Sequence, residues 1–296
     1  MAIDKKELLR RLAFIKYLYQ IGIEQSYKPE PLCNAAMLSF HDSMELFMYM
    51  ACEHHNAQPA QKNAGLLDYF KALENTIDLT QKVSIERFNK TRVAIKHSGV
   101  MASRIDIESF RSVCVNFFED NTLIAFDIDF HSISLINLIT FNKPKQHLEI
   151  AEKHIDSNNY KDAISEITLA FWLLIQEYEE SKRHFYGKSP FFFGKSMTFL
   201  NSFHMNIEDR KLGEFIDNVN ESISSMQSSM KILSLGFDYR KFTKFDLITP
   251  RYVKTFGGDN IYENPKANYK LDDAKWCFDY VIECCLILQD FDYKVV

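Results

Sequence analysis

Apolar residues recur along the chain at intervals of three and four positions, the spacing that forms one face of an α-helix. Three such runs lie in the first half: Leu8-Leu9-Leu12-Ile15-Leu18, Met37-Phe40-Met44-Phe47-Met48-Ala51 and Ile107-Phe110-Val113-Cys114-Phe117-Phe118. Three more lie in the second half: Ala163-Ile164-Ile167-Ala170-Phe171-Leu174, Leu212-Phe215-Ile216-Val219-Ile223-Met226-Met230 and Ala274-Cys277-Phe278-Val281-Cys285-Leu288. No strand-like alternation extends beyond a few residues. The pattern predicts an all-α helical bundle in which each helix buries one apolar face.

A chain of 296 residues is long enough for two domains, and a break in the helical pattern suggests where they divide. Pro144 interrupts the preceding segment, and a new periodic segment begins at Leu148. We therefore predict one helical domain at 1–142 and a C-terminal helical domain at 143–296. We also expect a long loop at 249–268.

Two helices at corresponding places in these domains match in their apolar and charged positions. One begins at Ile107 and ends at Glu119, and the other begins at Leu271 and ends at Glu283. The match is compatible with a degenerate internal repeat, in which the second domain copies the first. Because short helices also resemble one another by chance, both explanations stay open.

The amino-acid composition argues against several classes of protein. Only 9 Gly and 7 Pro occur, which disfavours turn-rich β folds, and neither GxGxxG nor GxxxxGK[ST] is present. The 6 Cys form no CxxC pair, so we expect reduced thiols rather than a zinc site. The N-terminal residues contain no apolar signal core, and no apolar run approaches the ~18–20 residues that span a bilayer. We expect a cytoplasmic protein that needs no cofactor and contacts no membrane.

The net charge is −5, yet one segment is strongly basic. Residues 82–104 contain a single acidic residue, Glu86, and six basic ones: Lys82, Arg87, Lys90, Arg92, Lys96 and Arg104. A local basic patch can bind a polyanion even on an acidic chain, because the charge that matters is the charge at the site. Gly99 is expected to end the helix that carries this segment.

Arg92 and His97 are the candidate chemical groups of this segment. Five positions on a straight helix place two side chains about 140° apart, so they cannot both enter one narrow pocket from the middle of a helix. They can act together if the helix ends near His97. They can also do so if two copies of the chain face each other across a shared cleft, which implies a dimer with a composite site.

The segment resembles a known family. Its residues Phe88-Asn89-Lys90-Thr91-Arg92-Val93-Ala94-Ile95-Lys96-His97-Ser98-Gly99, in a helical domain, are similar to the HEPN superfamily. Ribonuclease members of that superfamily carry an Arg-x(4–6)-His motif at the end of a helix in a bundle. The resemblance covers 1–142 by architecture and about a dozen residues by motif. No such motif occurs in the second half.

The resemblance implies a metal-independent endoribonuclease in which the ribose 2′-OH attacks the adjacent phosphorus. His97 would be the general acid/base and Arg92 would hold the scissile phosphate, since imidazole titrates near neutral pH and guanidinium binds phosphate oxygens. Asn89, Lys90 and Lys96 would position the RNA backbone. The family further suggests a homodimeric toxin or anti-phage defence effector that cleaves an abundant RNA such as tRNA. A toxin must be restrained, so we also expect a regulatory protein partner or a trigger.

Three features keep alternatives open. Active family members usually carry a polar residue directly after the arginine, whereas Val93 stands here, which favours a non-catalytic helical module that binds a partner protein or RNA. His41 and Glu45 are spaced i, i+4, which suits a metal ligand pair, a polar support beneath the active site, or a simple packed pair. A metal-dependent hydrolase would need a clustered His/carboxylate site, and we identify no such cluster and no metal ligand set from the sequence.

Overall fold

The computed structural model describes residues 3–183, 187, 189–194, 209–255, 258–262, 268–290 and 292. These residues form an all-α structure with one small hairpin, as the apolar periodicity predicts. The chain divides into two compact units, Met1–Leu138 and Ile139–Val296.

The first unit contains five α-helices and three short 3-10 turns within its described residues. The helices are α1 (Lys5–Ser26), α2 (Ala36–His54), α3 (Leu66–Leu73), α4 (Lys82–Ser98) and α5 (Arg104–Phe126). The 3-10 turns span Leu32–Ala35, Phe130–Ser132 and Leu135–Leu138. Helix α2 packs against α1, α3, α4 and α5, so it forms the centre of this unit.

Aromatic rings fill the core of the first unit. Phe47 of α2 packs edge-on against Phe117, Phe118 and Phe126, with ring centroids 5.2, 5.7 and 5.3 Å apart. Edge-to-face contacts of this kind add to the free energy gained by burying the rings. The apolar positions of α2 and α5 that the periodicity singles out therefore hold the two helices together.

The second unit contains five further helices and a hairpin in its described residues. They are α6 (Asn142–Asp156), α7 (Tyr160–Ser181), α8 (Arg210–Ser234), α9 (Tyr239–Ile248), β1 (Arg251–Thr255), β2 (Gly258–Tyr262) and α10 (Leu271–Asp290). Helix α7 packs along α6 and α10, and the ring of Phe171 contacts Phe242, Phe245 and Tyr280. That aromatic group forms the core of the second unit.

Pro144 lies within a helix, contrary to expectation. It is buried in the first turn of α6, and the residues before α6 form a 3-10 turn rather than an α-helix. Proline is tolerated there because the N–H groups of the first turn have no partner within the helix. The proline therefore marks the start of a helix and not the end of one.

The segment 249–268, expected to be a loop, contains the antiparallel hairpin of β1 and β2, in which Arg251 pairs with Tyr262. Its packing explains why periodicity missed it. Tyr252 stacks on Trp172 of α7, with centroids 5.5 Å apart and planes 12° apart, and accepts a hydrogen bond from Gln176. Tertiary contact, rather than local alternation, thus supports the strands.

Helix α8 has the predicted position but not the predicted burial. Its apolar stripe was expected to face inward, yet Phe215 is 64% exposed and Leu212, Val219, Met226 and Met230 are also exposed. Gly213, Asn220 and Ile232 are the helix residues that are buried. Periodicity predicted the helix correctly, and the assignment of its apolar face to the core was wrong.

All six cysteines are free and buried. Burial raises the pKa of the Cys52 thiol to about 11, so this sulfur is protonated and unreactive near neutral pH. Within the described part of the chain, no helix is both long enough and apolar enough to cross a bilayer.

Removing the ring of Phe47 tests the core of the first unit. We expect Phe47→Ala to lower the free energy of unfolding of this unit by about 3–5 kcal/mol, because it leaves a cavity against three rings. Urea unfolding followed by circular dichroism measures the change. The control Val83→Ala, at an exposed position of α4, is expected to change it by less than about 0.5 kcal/mol. Equal effects of the two substitutions would contradict this account of the core.

Candidate functional site

Helix α4 carries the basic segment and ends where expected. Gly99 follows its last residue with φ of 65° and donates a backbone hydrogen bond to Ile95 at 3.2 Å. Glycine favours this left-handed conformation because it has no Cβ to clash. His97 thus lies in the last turn of a regular helix.

Arg92 lies on the face of α4 that packs against the core. Ile85 and Phe88 of that face are fully buried, and Ile95 packs against the same core. Arg92 stands one turn after Phe88 and is half-buried. Its Nε atom is buried without a hydrogen-bond partner, and its guanidinium forms no ion pair with any described residue. A buried donor without a protein partner is uncommon in native structures.

His41 of α2 packs against the core-facing side of α4, the helix that carries Arg92. The His41 ring stacks on Phe88, with centroids 6.5 Å apart and planes 13° apart. Burial lowers the pKa of His41 from its ordinary value, and the positive charge of Arg92 lowers it further. The carboxylates of Glu45 and Asp42 act in the opposite direction, and burial with Arg92 prevails. The imidazole of His41 is therefore neutral at neutral pH.

His41, Asp42 and Glu45 bring their polar atoms together. His41 Nδ1 lies 3.6 Å from Asp42 Oδ1 and 3.8 Å from Glu45 Oε2, and it forms no hydrogen bond. Only 4% of the His41 side chain is exposed, against 60% for Asp42 and 37% for Glu45. The cluster is closed at the imidazole and open to solvent at Asp42.

The third element around the cluster is the start of α3. A Cβ atom added to Gly65 would lie 4.0 Å from Glu45 Oε1, so this carboxylate stands beside the amino end of α3. The positive end of a helix dipole stabilises a carboxylate there. Glu45 therefore directs one oxygen to His41 and the other to α3.

His97 points elsewhere. Its side chain is exposed, and no described residue forms a hydrogen bond or an ion pair with it. Because α4 continues as a helix through His97, this side chain lies about 140° around the axis from Arg92. The structure therefore does not bring Arg92 and His97 together within one chain.

Half of the basic residues in 82–104 have acidic partners. Lys82 pairs with Glu74, Arg87 Nη2 donates to Asp106 at 3.1 Å, and Arg104 Nε donates to Glu108 at 3.0 Å. The cations that form no ion pair with the described chain are Lys90, Arg92 and Lys96. Lys90 and Lys96 are exposed, and Asn89 is half-buried.

Lys96 and His97 also lie at the end of α4, where the helix dipole matters. Both stand in the last turn of α4, where cationic side chains interact favourably with the negative end of the helix dipole. The charge of Lys96 therefore contributes to helix stability whether or not this side chain binds a ligand.

The sequence reasoning missed Asp42 and identified no His/carboxylate cluster. The structure shows one, because His41 and Asp42 are adjacent and Glu45 follows one turn after His41. The i, i+4 pair of His41 and Glu45 was a usable signal. The pair alone could not show that His41 is buried against Phe88 of α4, the helix that carries Arg92.

Comparisons with known proteins add no relative. No protein-family model, curated protein or solved structure matches the chain. The resemblance to the HEPN superfamily therefore depends on the residues of α4 and the helical architecture, and family membership stays a prediction.

The charge of Arg92 can be tested through His41. We expect Arg92→Gln to raise the pKa of His41 towards its ordinary value, because one of the two causes that lower it is removed. An NMR pH titration of the histidine ring signals in metal-free buffer measures the shift. Lys90→Gln removes a cation from the exposed side of the same helix and is expected to leave that pKa unchanged. Equal shifts in the two variants would contradict the proximity of Arg92 and His41.

Proposed function

We propose that the protein is a metal-independent endoribonuclease of the HEPN type. The observation that carries the proposal is the arrangement of α4. Lys90, Arg92 and Lys96 have no acidic partner among the described residues, and an exposed histidine follows in the last turn. Three cations without an ion pair on one helix are candidates to bind the phosphates of a polyanion.

The chemistry follows from the two groups that the resemblance names. The ribose 2′-oxygen attacks phosphorus, the bond from phosphorus to the 5′-oxygen breaks, and the products are a 2′,3′-cyclic phosphate and a 5′-OH. His97 removes the proton from the 2′-OH or supplies one to the departing 5′-oxygen. The Arg92 guanidinium holds the phosphate and stabilises the charge that develops on its oxygens.

A homodimer reconciles this chemistry with the helix geometry. Arg92 and His97 of one chain lie on different sides of α4, so one chain does not direct both at a single phosphate. Two copies related by a twofold axis can place His97 of one chain opposite Arg92 of the other. Asn89, Lys90 and Lys96 then contact the flanking backbone.

The biological setting belongs to the same proposal. A ribonuclease of this family in the cytoplasm acts as a toxin or an anti-phage defence effector against cellular RNA, with tRNA as the expected substrate. Such an enzyme is restrained by a protein partner or a trigger. The roles proposed for these residues involve the phosphate and the ribose, so the proposal extends to RNA cleavage and not to base specificity.

A second candidate function has its own supporting observation. On α8, Leu212, Val219, Met226 and Leu233 follow one another at every seventh position and are exposed. Ile216, Ile223 and Met230 form a second series with the same interval. Two such series form the apolar seam of a paired helix, which suits a second copy of this chain. This surface and Val93 favour a non-catalytic dimerisation module.

Purified wild type and His97→Ala, incubated with total cellular RNA, test the ribonuclease. We expect wild type to release 2′,3′-cyclic phosphate ends equally with and without EDTA, and His97→Ala to lose at least about 100-fold of the rate. His131→Ala, another exposed histidine of the first unit, is the matched control and is expected to retain it. Arg92→Ala is expected to lose a similar factor, whereas Arg87→Ala, whose partner is Asp106, is expected to retain most of the rate.

Cleavage that persists in His97→Ala would show a contaminating nuclease and contradict the assignment. Absence of cleavage by a folded wild-type protein, at all RNA concentrations and with host lysate added as a source of activator, would favour the dimerisation module.

The seam on α8 makes a separate prediction. We expect Met226→Glu to shift the protein from dimer towards monomer, because a carboxylate in an apolar seam loses its hydration without a partner. Sedimentation equilibrium at several protein concentrations measures the shift. Ser228→Glu places the same charge at an exposed position of the same helix and is the matched control. A dimer that survives Met226→Glu would show that α8 is not the contact.

A further inference from the structure

We infer that His41, Asp42 and Glu45 form a binding site for a divalent metal ion. Three ligand atoms of these residues lie within 4.8 Å of one another, and the imidazole nitrogen among them has no hydrogen-bond partner. The inference does not depend on the proposed ribonuclease, in which the metal has no part.

The buried nitrogen is the observation that points to a ligand. Only 4% of the His41 side chain is exposed. Its Nδ1 is directed at two carboxylate oxygens that lie beyond hydrogen-bond distance. Leaving such an atom without a partner costs free energy, because burial deprives it of the hydrogen bonds that water would supply. A cation held between the nitrogen and the two oxygens would remove that cost.

The separations suit one ion. Two ligand atoms that each lie about 2.1 Å from a metal are about 3.0 Å apart when adjacent and about 4.2 Å apart when opposite. The nitrogen-to-oxygen distances of 3.6 and 3.8 Å fall between these limits. Asp42 and Glu45 are partly exposed, so their carboxylates can close on an ion that enters from solvent.

The donor set indicates the class of ion. One imidazole with two carboxylates suits borderline and hard divalent ions such as Mn²⁺, and it lacks the thiolates that select soft metals. The six cysteines are buried and none belongs to the cluster. Mn²⁺ is therefore the suitable probe, since it binds thiols weakly.

The positive charge of Arg92 is expected to weaken metal binding, and this provides a specific test. The ring of His41 stacks on Phe88, and Arg92 stands one turn after Phe88 on α4, so the positive charge of Arg92 repels a cation bound at His41. Removing that charge should strengthen metal binding. A cluster that exists only to neutralise Arg92 would show no metal binding with or without the arginine.

The experiment is a titration of the full chain with Mn²⁺, in which electron paramagnetic resonance measures the free ion. We expect one Mn²⁺ per chain, and at least about a tenfold loss of affinity in Asp42→Asn and in Glu45→Gln. Arg92→Gln is expected to bind more tightly than wild type. Glu119→Gln disrupts the His131–Glu119 pair, to which the described residues add no third ligand, and is expected to bind as wild type does.

A second measurement avoids a variant of buried His41, which could fail to fold. Bound Mn²⁺ is paramagnetic and is expected to broaden the His41 ring signals at lower metal concentration than those of His131 or His147. Absence of binding by wild type, binding that survives both Asp42→Asn and Glu45→Gln, or broadening of all histidines together would overturn the proposal. Because these readouts do not involve RNA, their failure would leave the ribonuclease proposal unaffected, and the reverse also holds.

Discussion

The close approach of α1 and α2 at Gly22 is the constraint on which the site depends. A Cβ atom on Gly22 would lie 2.5 Å from Cδ1 of Phe40, so the phenyl ring occupies the space that any larger residue would need. This contact fixes the rotation of α2 about its own axis. The next residue, His41, is turned about 100° from Phe40 and consequently faces α4 and Arg92 rather than α1. A small residue on one helix thus determines which polar groups meet on another.

Arg92 shows why the two sides of α4 differ. It lies on the core-facing side of α4, where the side chains of Ile85 and Phe88 are fully buried. Its charge is therefore partly removed from water. Such a charge is costly unless carboxylates or a ligand stand near it. Arg92 lowers the pKa of His41 while Glu45 and Asp42 raise it, so opposite charges act on this buried imidazole although Arg92 forms no ion pair with a described residue.

Apolar periodicity predicted the helices because their local pattern and their tertiary role coincide, as in α2 and α5. The same periodicity did not predict features that depend on contacts between distant parts of the chain. The burial of α8 depends on what covers Phe215, and the hairpin depends on the stack of Tyr252 on Trp172. The candidate site divides in the same way. Local sequence identified α4, its end at Gly99 and the i, i+4 pair of His41 and Glu45. Spacing along one helix cannot show that His41 of α2 packs against α4, the helix that carries Arg92.

The two proposed sites share Arg92, and its charge links them. Arg92 would hold a phosphate at the one site and repel a cation at the other, because a positive charge attracts anions and opposes cations. The ribonuclease chemistry proposed for His97 and Arg92 needs no ion at His41, since the proton transfer and the charge stabilisation come from these two side chains. The Nε of Arg92 and the Nδ1 of His41 are buried atoms for which the described residues supply no hydrogen-bond partner, one at each proposed site.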